Sequence, residues 1–200
     1  MAVDGTVGFD LDMTLIDSRP AILASFAAVA RETGVPLDLE QADARLGIKL
    51  EDELGYWFPP DRIEAAAQIY RRNYITLAPD NTAALPGAAE AIRAVRDAGN
   101  RAVIITAKHL VSVEPSLRAT GLEADEIFSF VHGPEKAVVM REIGVVAYVG
   151  DTPADVDAAT AAGAVAVGVP TGSFGAGDLA RADVVLRDLT EFPEWYRRWR

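Results

Sequence analysis

Two carboxylates, one residue apart, follow the first apolar segment of the chain. Asp10 and Asp12 lie in residues 7–15, whose apolar start predicts a strand. In an extended chain residues i and i+2 share a face, so these carboxylates would repel one another unless a cation or a proton lay between them. Hard oxygen ligands suit Mg²⁺, which often accompanies phosphate. The pair therefore predicts a magnesium site at the end of this strand.

Four more polar residues lie at comparable places along the chain. Asp151 and Asp155 come just after the apolar residues 145–149, and Thr106 closes an earlier apolar run. Lys136 opens a helical segment that precedes Asp151. Ligands of open parallel sheets bind outside the carboxyl ends of the strands. We therefore expect these side chains to meet at one edge of a sheet.

Composition limits the classes of function. Half of the 200 residues are hydrophobic, which predicts a packed globular protein, and the formal net charge of −11 argues against nucleic acid or an anionic membrane as a partner. The absence of cysteine excludes disulfides and thiolate catalysis. The sequence shows neither a signal-peptide pattern nor an apolar run of membrane length, so we expect a cytoplasmic protein without a membrane partner.

Helical and strand-like segments alternate from residue 85 onward, which predicts an α/β core with a Rossmann-like parallel sheet and helices on both faces. Strands are predicted near residues 6–11, 101–106, 126–131, 145–150, 164–169 and 183–186. Helices are predicted over residues 87–98, 134–144 and 153–163, with a short last helix that carries a basic end at 195–200.

Residues 17–84 break this alternation. They contain amphipathic stretches at 20–33, 39–46 and 62–77 and no convincing strand. This pattern predicts an inserted α-helical cap domain over residues 17–84, connected by two crossings to a core domain formed by residues 1–16 and 85–200. We call residues 17–84 the cap.

The order of the motifs resembles that of the haloacid dehalogenase (HAD) superfamily. Four motifs follow one another in the order found in that superfamily: Asp-x-Asp-x-Thr at residues 10–14, Thr106, Lys136 and Gly-Asp-x-x-x-Asp at residues 150–155. The resemblance spans residues 7–169. The helical cap resembles that of the phosphoglycolate phosphatase-like subgroup. The resemblance implies a Mg²⁺-dependent phosphatase acting on a small phosphorylated metabolite, phosphoglycolate-like or a sugar phosphate.

The resemblance also implies a role for each aspartate. Asp10 would attack phosphorus to give an aspartyl phosphate, and Asp12 would act as general acid and base. Mg²⁺ would be held by Asp10, by the backbone carbonyl of Asp12 and by Asp151, with Asp155 in the outer shell. Dehalogenase members lack the second aspartate, so its presence favours phosphoryl transfer.

Thr106 and Lys136 would bind the phosphate in such an enzyme. Lys136 is one of only three lysines among 19 basic residues, which suggests that a compact ammonium group is required there. Lys108 lies two residues after Thr106 and is interpreted as a solvated surface group. We assign no role to His109 or His132.

A loop between two predicted cap helices, residues 45–49, carries a cation at either end. We expect it over the active site, where Arg45 or Lys49 would contact a remote anionic group of the substrate. A plain connection between helices with surface charges explains the pattern equally well.

Three positions depart from the pattern of related sequences. Met13 stands where glycine is common, Ala107 stands where a polar residue is common, and Lys136 lacks the proline-flanked setting seen in many relatives. These departures weaken the inference about the substrate more than the inference about the reaction.

Three rival functions stay open at this stage. A phosphoglucomutase-like mutase and a phosphonate hydrolase belong to the same superfamily, and the second forms a Schiff base with a cap lysine, a role that Lys49 would fit. A receiver-like signalling module also accepts phosphate on an aspartate in an acidic Mg²⁺ pocket. The insertion of about 70 residues after the first strand argues against the receiver.

Overall fold

A computed structural model describes residues 5–200, so residues 1–4 of the predicted core lie outside the described residues. The strands in this part of the chain are β1 (Thr6–Phe9), β2 (Ile16–Asp17), β3 (Ala83–Ala84), β4 (Arg101–Ile105), β5 (Glu126–Phe128), β6 (Val145–Gly150), β7 (Val165–Gly168) and β8 (Val184–Val185).

The helices over the same residues are α1 (Arg19–Thr33), α2 (Leu39–Ala44), α3 (Leu50–Leu54), α4 (Pro60–Asn81), α5 (Ala88–Asp97), α6 (Leu110–Thr120), α7 (Pro134–Glu142), α8 (Pro153–Ala162) and α9 (Phe192–Trp199). None of these helices in residues 5–200 combines the length and the apolar character that crossing a bilayer requires.

Six strands form one parallel sheet in the order β5-β4-β1-β6-β7-β8. β1 lies at its centre, with Phe9 opposite Ile104 of β4 on one side and Val149 of β6 on the other. The strand order therefore reverses at β1, the place where open α/β sheets bind ligands. The predicted Rossmann-like α/β core is confirmed.

All six predicted core strands are present, and β6 has the predicted bounds. β1 ends at Phe9 rather than at residue 11, because the chain turns immediately afterwards: the carbonyl of Leu11 accepts hydrogen bonds from the amides of Leu15 and Ile16. The three predicted core helices correspond to α5, α7 and α8.

Four elements escape the sequence predictions. The expectation of no strand in residues 17–84 was wrong at both ends, since β2 and β3 pair antiparallel with Ile16 opposite Ala84 and Asp17 opposite Ala83. Two residues of alanine carry no strand signal, and the pairing exists because the two crossings run side by side. The short α3 and the proline-containing α6 were also missed.

Apolar side chains cover both faces of the sheet and fill the cap. Phe9 and Phe192 lie in the cluster on one face, and Tyr148 lies in the cluster on the other. The cap helices enclose a third cluster of their own, in which Phe26 lies. The hydroxyl groups of Tyr74 on α4 and Ser116 on α6 are 2.9 Å apart, so a buried hydrogen bond joins cap to core.

Gly87 lies where the chain returns from the cap and α5 begins. Its φ is +84°, and a Cβ at this position would come within 2.3 Å of the backbone of Leu189 and Thr190. Gly99 has a similar φ of +81°, yet a Cβ there would meet nothing within 4 Å.

We predict that Gly87→Ala lowers the free energy of unfolding by clearly more than Gly99→Ala. Both substitutions place an alanine in a left-handed conformation, which costs roughly 1–2 kcal/mol. Only Gly87→Ala must also displace the backbone of a neighbouring segment. Denaturant unfolding of the two variants measures the difference, and equal losses would contradict the close approach at Leu189.

Candidate active site

The carboxyl ends of β1 and β6 place two aspartates beside each other. Asp10 follows β1, and its amide donates a 2.8 Å hydrogen bond to the carbonyl of Val149 in β6. Asp151 follows β6, and Asp155 lies in the first turn of α8. All three aspartates are buried, and each offers a carboxylate oxygen within 4.8 Å of the others. The expectation that strand ends would bring these residues together is met.

Lys136, at the start of α7, is the buried cation of this cluster. Its Nζ donates to Oδ1 of Asp10 at 2.9 Å, to Oδ1 of Asp155 at 2.7 Å and to the hydroxyl of Tyr148 at 3.0 Å. Burial by itself disfavours the ammonium form, but the charges of Asp10 and Asp155 hold the pKa of Lys136 well above its usual value. Lys136 is therefore charged.

The carboxylates outnumber this cation. Burial raises the pKa of Asp10 to about 7, with Lys136 opposing the rise and Asp155 adding to it. Burial also raises the pKa of Asp151 well above its usual range, and the charge of Asp10 raises it further. Three buried carboxylates beside one lysine leave negative charge uncompensated, and their hard oxygen atoms suit a divalent cation such as Mg²⁺. The residues therefore fit a metal site.

Two residues to which the sequence analysis gave no role of their own fix Asp151. The buried hydroxyl of Thr14 donates to Oδ1 of Asp151 at 3.1 Å. On the other side, a Cβ at residue 172 would lie 1.9 Å from Oδ2 of Asp151, so only Gly172 leaves room for the carboxylate. Thr14 belongs to the first motif, whereas nothing in the sequence around Gly172 marked its nearness to Asp151.

Asp155 has both carboxylate oxygens engaged. Oδ1 accepts from Lys136, and Oδ2 accepts from the hydroxyl of Thr152 at 2.7 Å and from its amide at 3.2 Å. The amide of Asp155 donates back to the hydroxyl of Thr152, which completes a capping box at the start of α8. Asp155 therefore both caps its helix and holds Lys136.

The carboxylate of Asp12 lies outside the cluster. It accepts hydrogen bonds from Nζ of Lys108 at 2.7 Å and from the hydroxyl of Ser18. The expectation that Asp10 and Asp12 share a face around one cation was wrong for the two side chains, because the strand ends before Asp10 and the alternation of an extended chain no longer applies.

Lys108 corrects a second expectation. Its side chain is only 8% exposed, and its Nζ lies 4.3 Å from the centre of the Tyr74 ring in the cap. Burial alone would disfavour the ammonium, but the charge of Asp12 raises the pKa of Lys108. The interpretation as a solvated surface group was wrong, since the Asp12 carboxylate and the Tyr74 ring enclose the ammonium group.

Thr106 and Tyr148 contribute two further buried hydroxyl groups near the ends of β4 and β6. Thr106 is buried at the end of β4, where its hydroxyl accepts the amide of Lys108 at 3.1 Å. Tyr148 donates to the carbonyl of Ile105 at 2.8 Å while it accepts from Lys136. Tyr148 was missed, because a tyrosine within a buried strand is typical of a core residue.

A cavity of about 660 Å³ lies between core and cap. Asp10, Thr106 and Lys136 line one wall, and Arg45 and Lys49 line the other. The loop of residues 45–49 thus lies over the site, as expected.

The two cations of that loop differ in their partners. The guanidinium of Arg45 makes two 2.8 Å hydrogen bonds to Glu53 and lies 4.1 Å from the centre of the Tyr56 ring. Lys49 is exposed and makes no ion pair within residues 5–200. Lys49 is therefore the freer of the two cations.

The two substituted positions near the motifs have different surroundings. Met13 has a φ of +58°, a left-handed conformation that glycine adopts without strain. Ala107 lines the cavity beside Thr106 and offers no polar group of its side chain.

Family comparisons match nearly the whole chain. The family model described as haloacid dehalogenase-like hydrolase matches residues 7–138, and a second, described as HAD-hydrolase-like, matches residues 137–192. A phosphoglycolate phosphatase from Chromobacterium violaceum is 29% identical over 209 residues, which cover 92% of this chain and 93% of that protein. The probable phosphatase IndB from Dickeya dadantii is 28% identical over 186 residues, covering 82% and 80%.

Solved structures share the fold at lower identity. A haloacid dehalogenase-like family hydrolase from Streptococcus pneumoniae has a TM-score of 0.83 at 21% identity and covers 98% of this chain and 100% of that one. CbbY from Rhodobacter sphaeroides, in complex with phosphate, has a TM-score of 0.82 at 21% identity and covers 94% and 96%. Because the first family model alone matches more than half of the chain, and the second matches the residues that follow, the chain belongs to the haloacid dehalogenase-like hydrolases.

Proposed function

We propose that the chain is a Mg²⁺-dependent phosphatase that hydrolyses a small phosphorylated metabolite through an aspartyl phosphate on Asp10. The observation that carries the proposal is the buried cluster of Asp10, Asp151 and Asp155, in which Lys136 pairs with Asp10 and Asp155. The phosphatase names of the relatives support the reaction class. They favour an enzyme over a receiver-like module.

Asp10 is the proposed nucleophile. Its carboxylate forms a bond to phosphorus while the bond between phosphorus and the ester oxygen breaks, and water then attacks the aspartyl phosphate to release phosphate and regenerate Asp10. The hydrogen bond from Lys136 favours the ionised carboxylate that this attack requires. When bound, Mg²⁺ neutralises charge on the phosphoryl oxygens. Asp10, the backbone carbonyl of Asp12 and Asp151 would hold it, with Asp155 in the outer shell.

Asp12 is the proposed general acid and base. It gives a proton to the departing alkoxide and takes one from the attacking water. The position of Asp12 outside the carboxylate cluster supports separate roles for Asp12 and Asp10, because Lys108 and Ser18 hold the Asp12 carboxylate apart from Asp10. Thr106 and Lys136 would contact the transferred phosphoryl group.

The substrate proposed is phosphoglycolate-like or a sugar phosphate, and the relative from Chromobacterium violaceum supports the first. Since Glu53 already neutralises Arg45, Lys49 is the better candidate to contact a distal anion. A mutase or a phosphonate hydrolase of the same superfamily is the alternative, and a cytoplasmic location remains a prediction.

Replacing Asp10 by Asn tests the covalent route. The amide has nearly the same shape but cannot attack phosphorus, so we expect phosphate release from p-nitrophenyl phosphate to fall by roughly 10³-fold or more. The fold should persist, because burial already favours an uncharged group at this position. Asp97→Asn, an exposed change on α5, is the matched control. Substantial activity in purified Asp10→Asn protein would refute the covalent intermediate.

Metal dependence tests the carboxylate assignment. We expect EDTA to abolish phosphate release and added Mg²⁺ to restore it. Asp151→Ala should raise the Mg²⁺ concentration needed for half-maximal activity, whereas the exposed Asp97→Ala should not. Turnover that persists in EDTA would contradict the metal site.

The same site should make stability depend on pH. A carboxyl group whose pKa is raised in the fold contributes stability at low pH and loses it as pH rises through the folded value, which is about 7 for Asp10. Without metal, the melting temperature should therefore fall between pH 5 and pH 8. Added Mg²⁺, which binds the ionised carboxylates, should raise it more at pH 8 than at pH 5. An equal rise at both pH values would argue against binding at these carboxylates.

Replacing Lys49 by Ala tests recognition of the substrate. Loss of one charge-assisted contact should lower kcat/KM for 2-phosphoglycolate by ~10-fold, equivalent to about 1.5 kcal/mol. The loss for p-nitrophenyl phosphate should be much smaller, since that ester has no distal carboxylate. Arg62→Ala, an exposed change on α4, is the control. Equal losses on both esters would refute the specificity role, and complete loss on both would favour the Schiff-base alternative.

A further inference from the structure

Phe130, between β5 and α7, combines a strained backbone with an exposed ring. Its φ is +61°, a left-handed conformation that a bulky side chain rarely adopts, and the residue is 52% exposed. Two hydrogen bonds of 3.0 Å hold this segment: the amide of Phe130 donates to the carbonyl of Lys108, and the amide of Val131 donates to the carbonyl of Thr106. The backbone therefore presents an apolar ring at a fixed place beside the proposed phosphate site, and such strain commonly marks functional positions.

Phe130 lies between two histidine rings. Its ring contacts His109 and His132 edge to face, at centroid distances of 5.5 and 4.9 Å, and all three residues line the cavity that contains Asp10. Nε2 of His132 is buried and has no hydrogen-bond partner in the part of the chain that the structure describes. Burial, and then the charge of Lys49, lower the pKa of His132, which favours the neutral imidazole. These three rings form an aromatic rim that includes one buried polar atom, Nε2 of His132, without a partner in the described residues.

The cap wall of the same cavity combines apolar side chains with charges that balance one another. Its apolar and aromatic side chains belong to Ile22, Phe26, Ala42, Leu46, Ile48, Leu50 and Tyr70. Its charged side chains cancel: the cations are Arg45, Lys49 and Arg71, and the carboxylates are Glu51, Asp52 and Glu53. Four of these six are already joined in the ion pairs Arg45–Glu53 and Arg71–Glu51. This wall therefore offers little net attraction to a second phosphate or a similar dianion.

We propose that the leaving group of the substrate carries a flat, uncharged ring that packs against Phe130. The proposal rests on the phosphatase reaction proposed above and is an alternative to the phosphoglycolate-like substrate named there, since phosphoglycolate carries a distal carboxylate and no ring. A ring gains contact with the aromatic rim and with the apolar side chains of the cap wall, whereas a short hydroxylated chain would leave both without apolar partners. The free Nε2 of His132 would pair with a polar atom on the edge of the ring.

Three primary alkyl esters with leaving alcohols of similar chemistry separate ring recognition from bond cleavage: ethyl phosphate, 2-phenylethyl phosphate and 2-cyclohexylethyl phosphate. We expect kcat/KM for the phenyl ester to exceed that for the ethyl ester by about tenfold, which corresponds to ~1.4 kcal/mol. The phenyl ester should also exceed the cyclohexyl ester, which is apolar but not flat.

Variants at Phe130 assign the preference to its ring. Phe130→Asn should bring the ratio of phenyl to ethyl ester close to one, while Phe130→Tyr should keep it. Val138→Ala, which shortens another exposed apolar side chain outside the cavity, should leave the ratio unchanged. Because asparagine adopts the left-handed conformation more readily, Phe130→Asn should melt no lower than the parent protein, so a changed ratio would not reflect unfolding.

The outcomes distinguish the two proposals. Turnover of the esters without a preference for the phenyl ester, or a preference that survives Phe130→Asn, overturns the ring proposal and leaves the phosphatase intact. Turnover of none of the esters or of p-nitrophenyl phosphate with Mg²⁺ overturns the phosphatase and the ring proposal together.

Discussion

The burial of three carboxylates around one lysine is the constraint on which the site depends. Isolated charges are costly to bury, so each group must be met by a partner of fixed position. Lys136 donates hydrogen bonds to Asp10 and Asp155, and Thr14 donates one to Asp151. The second oxygen of Asp155 accepts hydrogen bonds within the capping box of α8. These partners come from separate elements of the parallel sheet and its helices. The strand order β4-β1-β6 brings those elements together.

The cap is connected to this cluster through Asp12. Ser18, which binds the Asp12 carboxylate, lies just before α1, the first helix of the cap. Lys108, its second partner, lies over the ring of Tyr74 on the long cap helix α4. A displacement of the cap relative to the core would therefore change the surroundings of Asp12, whereas Lys136 and Val149, which hold Asp10, belong to the core. This arrangement links the proposed proton transfer to the position of the cap.

Sequence reasoning predicted the features that depend on local pattern and missed those that depend on distant contacts. Apolar runs and glycine or proline at helix ends indicated the core strands and helices, and motif order placed Asp10 and Asp151 together. Gly172 and Tyr148 gave no such signal, because their importance arises from a carboxylate and a lysine that are remote in the chain. Lys108 was misjudged for the same reason: its burial depends on Asp12 and on a cap helix.

The two walls of the cavity are subject to different physical demands. The core wall must hold a phosphoryl group and a cation, so its charged residues are buried and tightly paired, as Lys136 is. The cap wall meets only the leaving group, and its charges balance within the wall. Phe130 belongs to the core but lies exposed at the mouth of the cavity. Its apolar ring is suited to hold neither the phosphoryl group nor the cation. A strained backbone that exposes an apolar ring lowers the stability of the fold. We therefore attribute the role of Phe130 to contacts with the leaving group of the substrate.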